Sequence, residues 1–376
     1  MRRATRASIG AAAALAVLVS ACSGSATPSA TSASSSRHGS TIPGPSPDPS
    51  TSASAAAAPR TGRFTISFAG DVHFSGRIRT RLNRNVRTVF GKAEPGLRRA
   101  DLTMVNLETA ITTRGVPQAK EFHFRAPPKA LTALRDAGID VATEANNHGA
   151  DYGNQGLHDT LRAIRRSHFP VIGIGKDADA AFRPFTRTVN GTEVAIIAAD
   201  QVQDETTLRL FSAGRHKPGV ANAYSPRLIS AVKKAKAAGY LVIVYVHWGI
   251  ELQTCPSGDQ RALAKKLSRA GATAVIGTHA HVLQGAGWLP HSGAGTYVAY
   301  GLGNYLWWES FDNDQDDNGV LTLTFAHHKV VGSHFAASHL ANSGVPVPAH
   351  GAQKRRIDHE FAADRRCTGL SATPPR

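Results

Sequence analysis

The chain is poor in cysteine and in acid, and it has no apolar run long enough to cross a bilayer comfortably. Three cysteines, Cys22, Cys255 and Cys367, stand among 376 residues, which excludes a framework of many disulfides. Asp and Glu number 27 against 43 Lys and Arg, a formal net charge of +16. No dense Lys/Arg run interleaves with aromatics, however, so nucleic acid is not the expected partner. The apolar stretch Ile9 to Val19 is too short for a membrane span. Beyond residue 60 there is no second linker and no internal repeat, so the remaining length of about 300 residues reads as one domain.

The first residues carry a destination. Arg2, Arg3 and Arg6 precede the apolar stretch, which ends in Val19-Ser20-Ala21-Cys22. A charged head, a short apolar core and a small-residue site have the order of a secretory signal. Its end resembles a bacterial lipobox, which implies that Cys22 becomes the lipidated first residue. Residues 1–22 are therefore expected to be a lipoprotein signal and residues 23–60, almost entirely Ser, Ala, Thr, Pro and Gly, a disordered tether. Residues 61–345 are expected to form the folded domain and 346–376 a C-terminal tail. The implied place is the outer face of the cell membrane, held through the lipid anchor. Export puts Cys255 and Cys367 in an oxidising compartment as an even pair, so a disulfide clamping the tail onto the domain is expected. The surplus of cations suits an anionic envelope polymer, a lipid headgroup or a phosphorylated substrate. A solvated basic surface kept for solubility accounts for it equally well.

Within the domain, short apolar strands are expected at Phe64 to Ala69, Leu102 to Leu107, Val194 to Ala199, Leu241 to Val246, Ala274 to Ile276, Thr296 to Tyr300 and Val320 to Phe325. Helical spacing of apolar residues marks Pro128 to Ala137, Gly156 to Arg166, Pro226 to Ala238 and Asp259 to Ala270. Strand and helix alternate, which makes the fold class α/β.

Polar residues gather where these strands stop. Asp71 and His73 follow the first, Asn106 and Glu108 end the second, and Glu144-Ala145-Asn146-Asn147-His148-Gly149-Ala150-Asp151 follows the apolar Ile139 to Ala142. His247 closes the Leu241 to Val246 strand, and the run Ala274 to Ile276 leads into His279 and His281. In extended chain, residues two apart share a side, so both of those imidazoles can reach one site. Carboxylates and imidazoles are ligands suited to divalent transition metals, and in α/β sheets ligands collect at the carboxyl ends of strands. One such residue alone is more often a cap or a surface group; five groups in series supply enough donors for two metal ions.

The order Asp-x-His, acid, Asn-His, His, Gly-x-His-x-His resembles the calcineurin-like metallophosphoesterase superfamily. More narrowly, Asn106-Leu107-Glu108, Asn146-Asn147-His148 with Asp151-Tyr152-Gly153, Val246-His247-Trp248-Gly249, Gly277-Thr278-His279-Ala280-His281 and Gly301-Leu302-Gly303-Asn304 resemble the capsule-synthesis CapA family, linked to poly-γ-glutamate production. The resemblance covers Phe64 to Phe325. It implies a sandwich of two mixed sheets flanked by helices, and a centre of two divalent transition-metal ions, Mn, Fe or Zn. Asp71, His73 and His281 would hold one ion and Asn147, His247 and His279 the other, with Glu108 as bridge and His148 as general acid. Glu108 stands where the wider superfamily has Asp, as CapA proteins usually do, whereas many CapA-like sequences lack the histidine at His73.

Other residues carry weaker signals. Arg77 and Arg125 could contact an anionic substrate or simply be solvated, and Asn304 is expected to orient a neighbouring ligand. Trp248, Trp307 and Trp308 read as packing. The acidic run Asp312, Asp314, Asp316, Asp317 reads as a solvated loop rather than a site for a hard cation. The implied function is a metal-dependent step in the synthesis, release or attachment of an anionic envelope polymer, with a membrane polymer-synthesis complex as partner. Two other readings stay open: a two-metal hydrolase of phosphoesters or amides unrelated to capsule, and a non-catalytic polymer-binding scaffold.

Overall fold

A computed structural model describes residues 62–375, apart from 203, 205 and 291–294. The expected signal, Cys22 and the tether lie outside the described residues. Two large sheets face each other. In the first, the strand Phe64–Val72 runs parallel to Leu102–Leu107, which is followed outward by Val141–Thr143 and Val171–Ile172. Its other neighbours are the antiparallel Asp317–Ala326, then Lys329–Leu340 and Pro346–Pro348, and the short parallel strand Asn304–Leu306 also joins it. In the second sheet, Thr192–Asp200, Leu241–His247, Ala274–Thr278 and Tyr297–Leu302 are parallel neighbours, edged by the antiparallel Phe185–Val189 and Leu283–Trp288. The α/β sandwich of mixed sheets is the fold that the sequence led one to expect.

Residue alternation divides the apolar side chains between three layers. Phe68, Met104, Ile196, Ile243, Tyr245, Ile276, Leu323 and Phe325 fill the space between the sheets. Val242, Val244 and Val246 turn the other way, onto the helices Pro226–Ala237 and Gly258–Ala270 through Leu228, Val232, Leu263 and Leu267. On the far side, Val105 and Leu107 meet Ile78 and Leu82 of the helix Gly76–Arg84 and Leu131 and Leu134 of Lys129–Asp136. Burying each such side chain contributes about 1.5–3 kcal/mol, so both faces of each central strand are committed to the core. The helices begin where their sequence allows: Ser257 and Gln260 form a reciprocal capping box at the start of Gly258–Ala270, and Ser225 precedes Pro226 at the start of Pro226–Ala237.

The period of two then decides where polar residues end up. Leu102 and Met104 face the inter-sheet core, so Asn106 continues that face at the strand's end. Ile243 and Tyr245 are followed in the same way by His247, Ile196 and Ala198 by Asp200, and Ile276 by Thr278. Each sits at the carboxyl end of a parallel strand. The sheets are linked near this end by the Tyr245 hydroxyl, which donates to the Ala69 carbonyl at 2.7 Å.

The structure departs from the sequence reading mainly at its end. The stretch expected as a tail forms the edge strand Pro346–Pro348 and the helix Gly351–Asp364, whose Ile357 and Phe361 enter the inter-sheet core. Cys255 and Cys367 are bonded, with Cα atoms 5.7 Å apart. The acidic run is ordered: Asp316 accepts from Ser310 Oγ and the amides of Phe311 and Asp312, and Asp317 pairs with Arg356 at 2.6 Å. The carboxylates of Asp316 and Asp317 cap a turn and tie it to a helix, which replaces the solvation expected of them, while Asp312 and Asp314 are exposed as expected. No helix among the described residues is long and apolar enough to cross a membrane.

Candidate metal centre

The centre is built at the carboxyl ends of both sheets. Asp71 lies opposite Asn106 on one side and Asn304 on the other, and His247 lies between Asp200 and Thr278. Gly70 and Gly277 permit this approach, because a Cβ on either would overlap backbone across the gap: Gly303 for the first and Tyr300 for the second. The turn after the Ala274–Thr278 strand holds His279 at φ 93° and His281 at φ 57°. Such backbone costs on the order of 1–3 kcal/mol at each non-glycine residue and persists where the surroundings enforce it. Here Asp71 Oδ2 accepts from the His279 amide at 3.2 Å, and Asn304 grips His281 through Oδ1 to Nδ1 at 2.8 Å and Nδ2 to the carbonyl at 3.3 Å.

Glu108 is the focus. Its Oε1 is buried with no hydrogen-bond partner, yet His148 Nε2, His247 Nε2 and His281 Nε2 stand 3.6, 3.8 and 3.9 Å away. These separations are too long for hydrogen bonds. They match the spacing of atoms that share a cation at about 2.0–2.2 Å. Asp71, Glu108 and His281 offer donor atoms all within 4.8 Å of one another. Asn147 Oδ1 meets His247 Nε2 at 3.0 Å, and the rings of His247 and His279 lie 4.7 Å apart. Nδ1 of His279 is also buried without a partner.

The electrostatics suit the same interpretation. Burial pushes the carboxyl of Glu108 well above its ordinary range, with the charge of Asp71 adding to the rise, and burial raises Asp71 too. Burial and the neighbouring imidazoles hold His73, His247 and His279 well below the usual histidine value, so they are neutral and able to act as ligands. A cation supplies the charge that two close buried carboxylates otherwise lack. By donor set, by orphaned atoms and by charge, the residues fit a divalent transition-metal centre.

His148 stands beside it. Its Nδ1 meets Asp151 Oδ2 at 2.7 Å, its ring packs on Phe124 at 4.3 Å, and burial lowers its pKa despite the carboxylate. Lys120 reaches the other oxygen of Asp151 at 2.7 Å, Asp204 at 3.3 Å and the Asn147 carbonyl at 2.5 Å.

His73 is differently placed from the expected ligand role. Its Nε2 accepts from the Trp308 amide at 2.9 Å and its ring packs against Phe124 and Trp307, both at 4.2 Å, so only Nδ1 is free. Trp307, expected as packing alone, also covers His281 at 4.8 Å. The two arginines are engaged elsewhere: Arg77 donates to the Asn342 carbonyl, and the Arg125 guanidinium lies 4.6 Å over the Tyr152 ring. No hydrogen bond or ion pair joins their side chains to the centre among the described residues.

Several contributors carried no role in the sequence reading. Asn106 donates to Asp71 at 2.8 Å and Glu108 at 3.3 Å and is itself held by Asn146 at 2.9 Å. Asp151 had a legible signal, standing three residues after His148; Lys120, in an aperiodic loop, had none. Glu251 joins His279 and His281 in a second set of donors within 4.8 Å of one another. Its signal was a single acid four residues beyond His247.

Residues 65–307 match the family described as bacterial capsule synthesis protein PGA_cap. The chain belongs to that family. The metallophosphoesterase-like character of PGA_cap proteins agrees with the sandwich and with donors at its strand ends. The PGA biosynthesis protein CapA of Bacillus subtilis (strain 168) is 31% identical over 255 residues, 66% of this chain and 65% of that protein. The capsule biosynthesis protein CapA of Bacillus anthracis is 28% identical over 283 residues, 69% of this chain and 66% of that one. This PGA_cap chain thus spans just under two thirds of the length of these relatives. A crystal structure of a hypothetical protein from Thermus thermophilus superposes with a TM-score of 0.45 at 17% identity, covering 73% of this chain and 98% of that one.

Proposed function

We propose that the chain is an exported, lipid-anchored, CapA-like protein acting in the synthesis, release or attachment of an anionic envelope polymer such as poly-γ-glutamate, by metal-dependent hydrolysis. The observation that carries the chemical part is Glu108 Oε1, buried, unbonded and faced by three imidazole nitrogens. The relatives' names, PGA biosynthesis protein and capsule biosynthesis protein, support the polymer.

In this reading Asp71, Glu108 and His281 would hold one divalent Mn, Fe or Zn ion, and Asn147, His247 and His279 a second, with Glu108 between them and His73 offering only Nδ1. When bound, such ions supply Lewis-acid polarisation of the scissile bond and lower the pKa of water. The remaining work falls to side chains. His148 carries a proton at Nε2 for the leaving group, while Nδ1, bonded to Asp151, fixes the ring and steadies the imidazolium. Burial pushes the Asp151 carboxyl up, but His148 and Lys120 outweigh it and leave Asp151 below its ordinary value, ionised and ready for that task. Trp307 and Phe124 exclude water from the flank of the site. A membrane polymer-synthesis complex is the proposed partner.

The test combines elemental analysis with hydrolysis of poly-γ-glutamate and of a generic phosphodiester. His281→Ala should weaken metal binding more than tenfold, while His148→Ala should retain metal and lose turnover. Protein that takes up no transition metal on titration, and that His281→Ala leaves unchanged, would overturn the enzymatic reading and leave a scaffold. Cleavage of the phosphodiester alone would point to a phosphoesterase outside capsule metabolism.

A further inference from the structure

We propose that Glu251, together with His279 and His281, forms a two-histidine, one-carboxylate site for a divalent transition metal at the solvent-facing edge of the centre. The inference rests on the reading that His279 and His281 face metal, and it adds a ligand from a loop to which no motif gave a role.

Donor atoms of the three residues lie within 4.8 Å of one another; Glu251 is exposed, His279 buried and His281 in between. The set therefore closes on the protein side and opens toward solvent. The arrangement is fixed by backbone. Gly249, at φ 103°, turns the chain out of the Leu241–His247 strand, and Leu252, at φ 61°, turns it back. The Leu252 amide then donates to the Ala280 carbonyl at 2.8 Å, which ties the loop to the residue between the two histidines. A Cβ on Gly249 would run into the Gln260 side chain, so the turn needs glycine there. Four residues beyond Glu251, the Cys255–Cys367 bond pins the other end of the loop.

A loop carboxylate held only by electrostatics would be expected to find Lys or Arg. Among the described residues no such ion pair is made by Glu251; the nitrogens brought near it belong to His279 and His281. Nδ1 of His279 is buried and has no hydrogen-bond partner. Both histidines also bear left-handed backbone. Strain on adjacent donors, an orphaned nitrogen and a carboxylate delivered by a strapped loop are together the marks of a ligand set held in advance of its ion.

Two imidazoles and one carboxylate with open positions suit zinc, iron(II) or manganese. His281 is shared with Asp71 and Glu108. Glu251 thus gives the outer ion a carboxylate that it does not share with the inner one.

The experiment uses the full chain, stripped with chelator and titrated with Zn(II) by calorimetry and with Co(II) by visible absorption. Glu251→Gln keeps the side chain's size and should weaken one of the bound ions more than tenfold and alter the Co(II) bands, leaving the other ion unchanged. Glu251→His, which restores a donor, should recover much of that affinity. Glu121→Gln, an exposed acid in another loop, should match the wild type. Equal stoichiometry, affinity and spectrum in wild type and Glu251→Gln would overturn this inference while leaving the two-metal reading intact. A wild type that binds neither ion would overturn both.

Discussion

His148 Nδ1 and Asp151 Oδ2 lie 2.7 Å apart, three residues from each other in one turn of the chain, and the second oxygen of the same carboxylate receives Lys120 Nζ at 2.7 Å. One buried acid thus serves two bases. Removing it leaves a largely buried ammonium without its nearest counter-charge, and breaking such a pair costs about 3–5 kcal/mol. Asp151→Ala should therefore lower stability by about 3 kcal/mol in chemical denaturation. Lys120→Met combined with Asp151→Leu should recover most of that loss, because the buried ammonium is then no longer stranded and the more exposed Asp204 can be solvated; a double variant no better than Asp151→Ala would refute the pairing.

Gly277 stands two residues before His279, under the Trp248 indole, whose Nε1 donates to the Tyr300 carbonyl at 2.7 Å. A methyl group at Gly277 would occupy the space of that hydrogen bond. Gly277→Ala should cost about 3 kcal/mol through overpacking and should also weaken metal uptake by shifting His279. Thermal melts read the first effect and metal titration the second.

Glu144 is buried, and neither of its oxygens has a hydrogen-bond partner among the described residues; burial alone pushes its pKa well above 4.5. The unfolded chain releases this proton near 4.5, whereas the folded chain retains it. Above that pH the folded state therefore holds one more proton, and stability falls by up to about 1.4 kcal/mol per pH unit until the folded group also ionises. Glu144→Met should remove this slope and raise stability at neutral pH. Denaturation midpoints of both proteins between pH 5 and pH 8 on the order of one unit apart would check it.

The bond between Cys255 and Cys367 spans 112 residues. Closing a loop of that length in the unfolded chain is worth about 5 kcal/mol. Reductant, or Cys255→Ser, should shift the denaturation midpoint accordingly, and equal midpoints with and without reductant would contradict a closed loop.

Much of the architecture was legible because the central strands are pure pattern. Leu102–Leu107 was readable residue for residue, and the other expected strands differ by only a few residues at their ends, where polar groups such as Asp71 and His247 stay in the ladder. Less legible were Lys329–Leu340, whose partly exposed face dilutes the apolar alternation, and Gly351–Asp364, where only Ile357 and Phe361 are buried. At the centre, residues attached to strand ends could be placed by period two. Those brought in by aperiodic loops could not: Lys120 and Glu251 arrive through turns whose course depends on Gly249, Leu252 and contacts distant in sequence. His73 shows the opposite case, since its spacing from Asp71 was correct but the Trp308 amide, more than two hundred positions away, claims its Nε2.

The bond from Cys255 to Cys367 also turns part of the chain into a ring, and His279, His281 and Asn304 all lie within it. The exposed turn at His327 and His328, both in left-handed backbone, lies on the same ring. A protease clipping there would linearise the ring without shedding a piece. The nicked protein would migrate as one species until a thiol separated its halves, and the strand Lys329–Leu340 and the helix Gly351–Asp364, which follow the cut, would stay covalently tethered to the rest where an open chain would lose them.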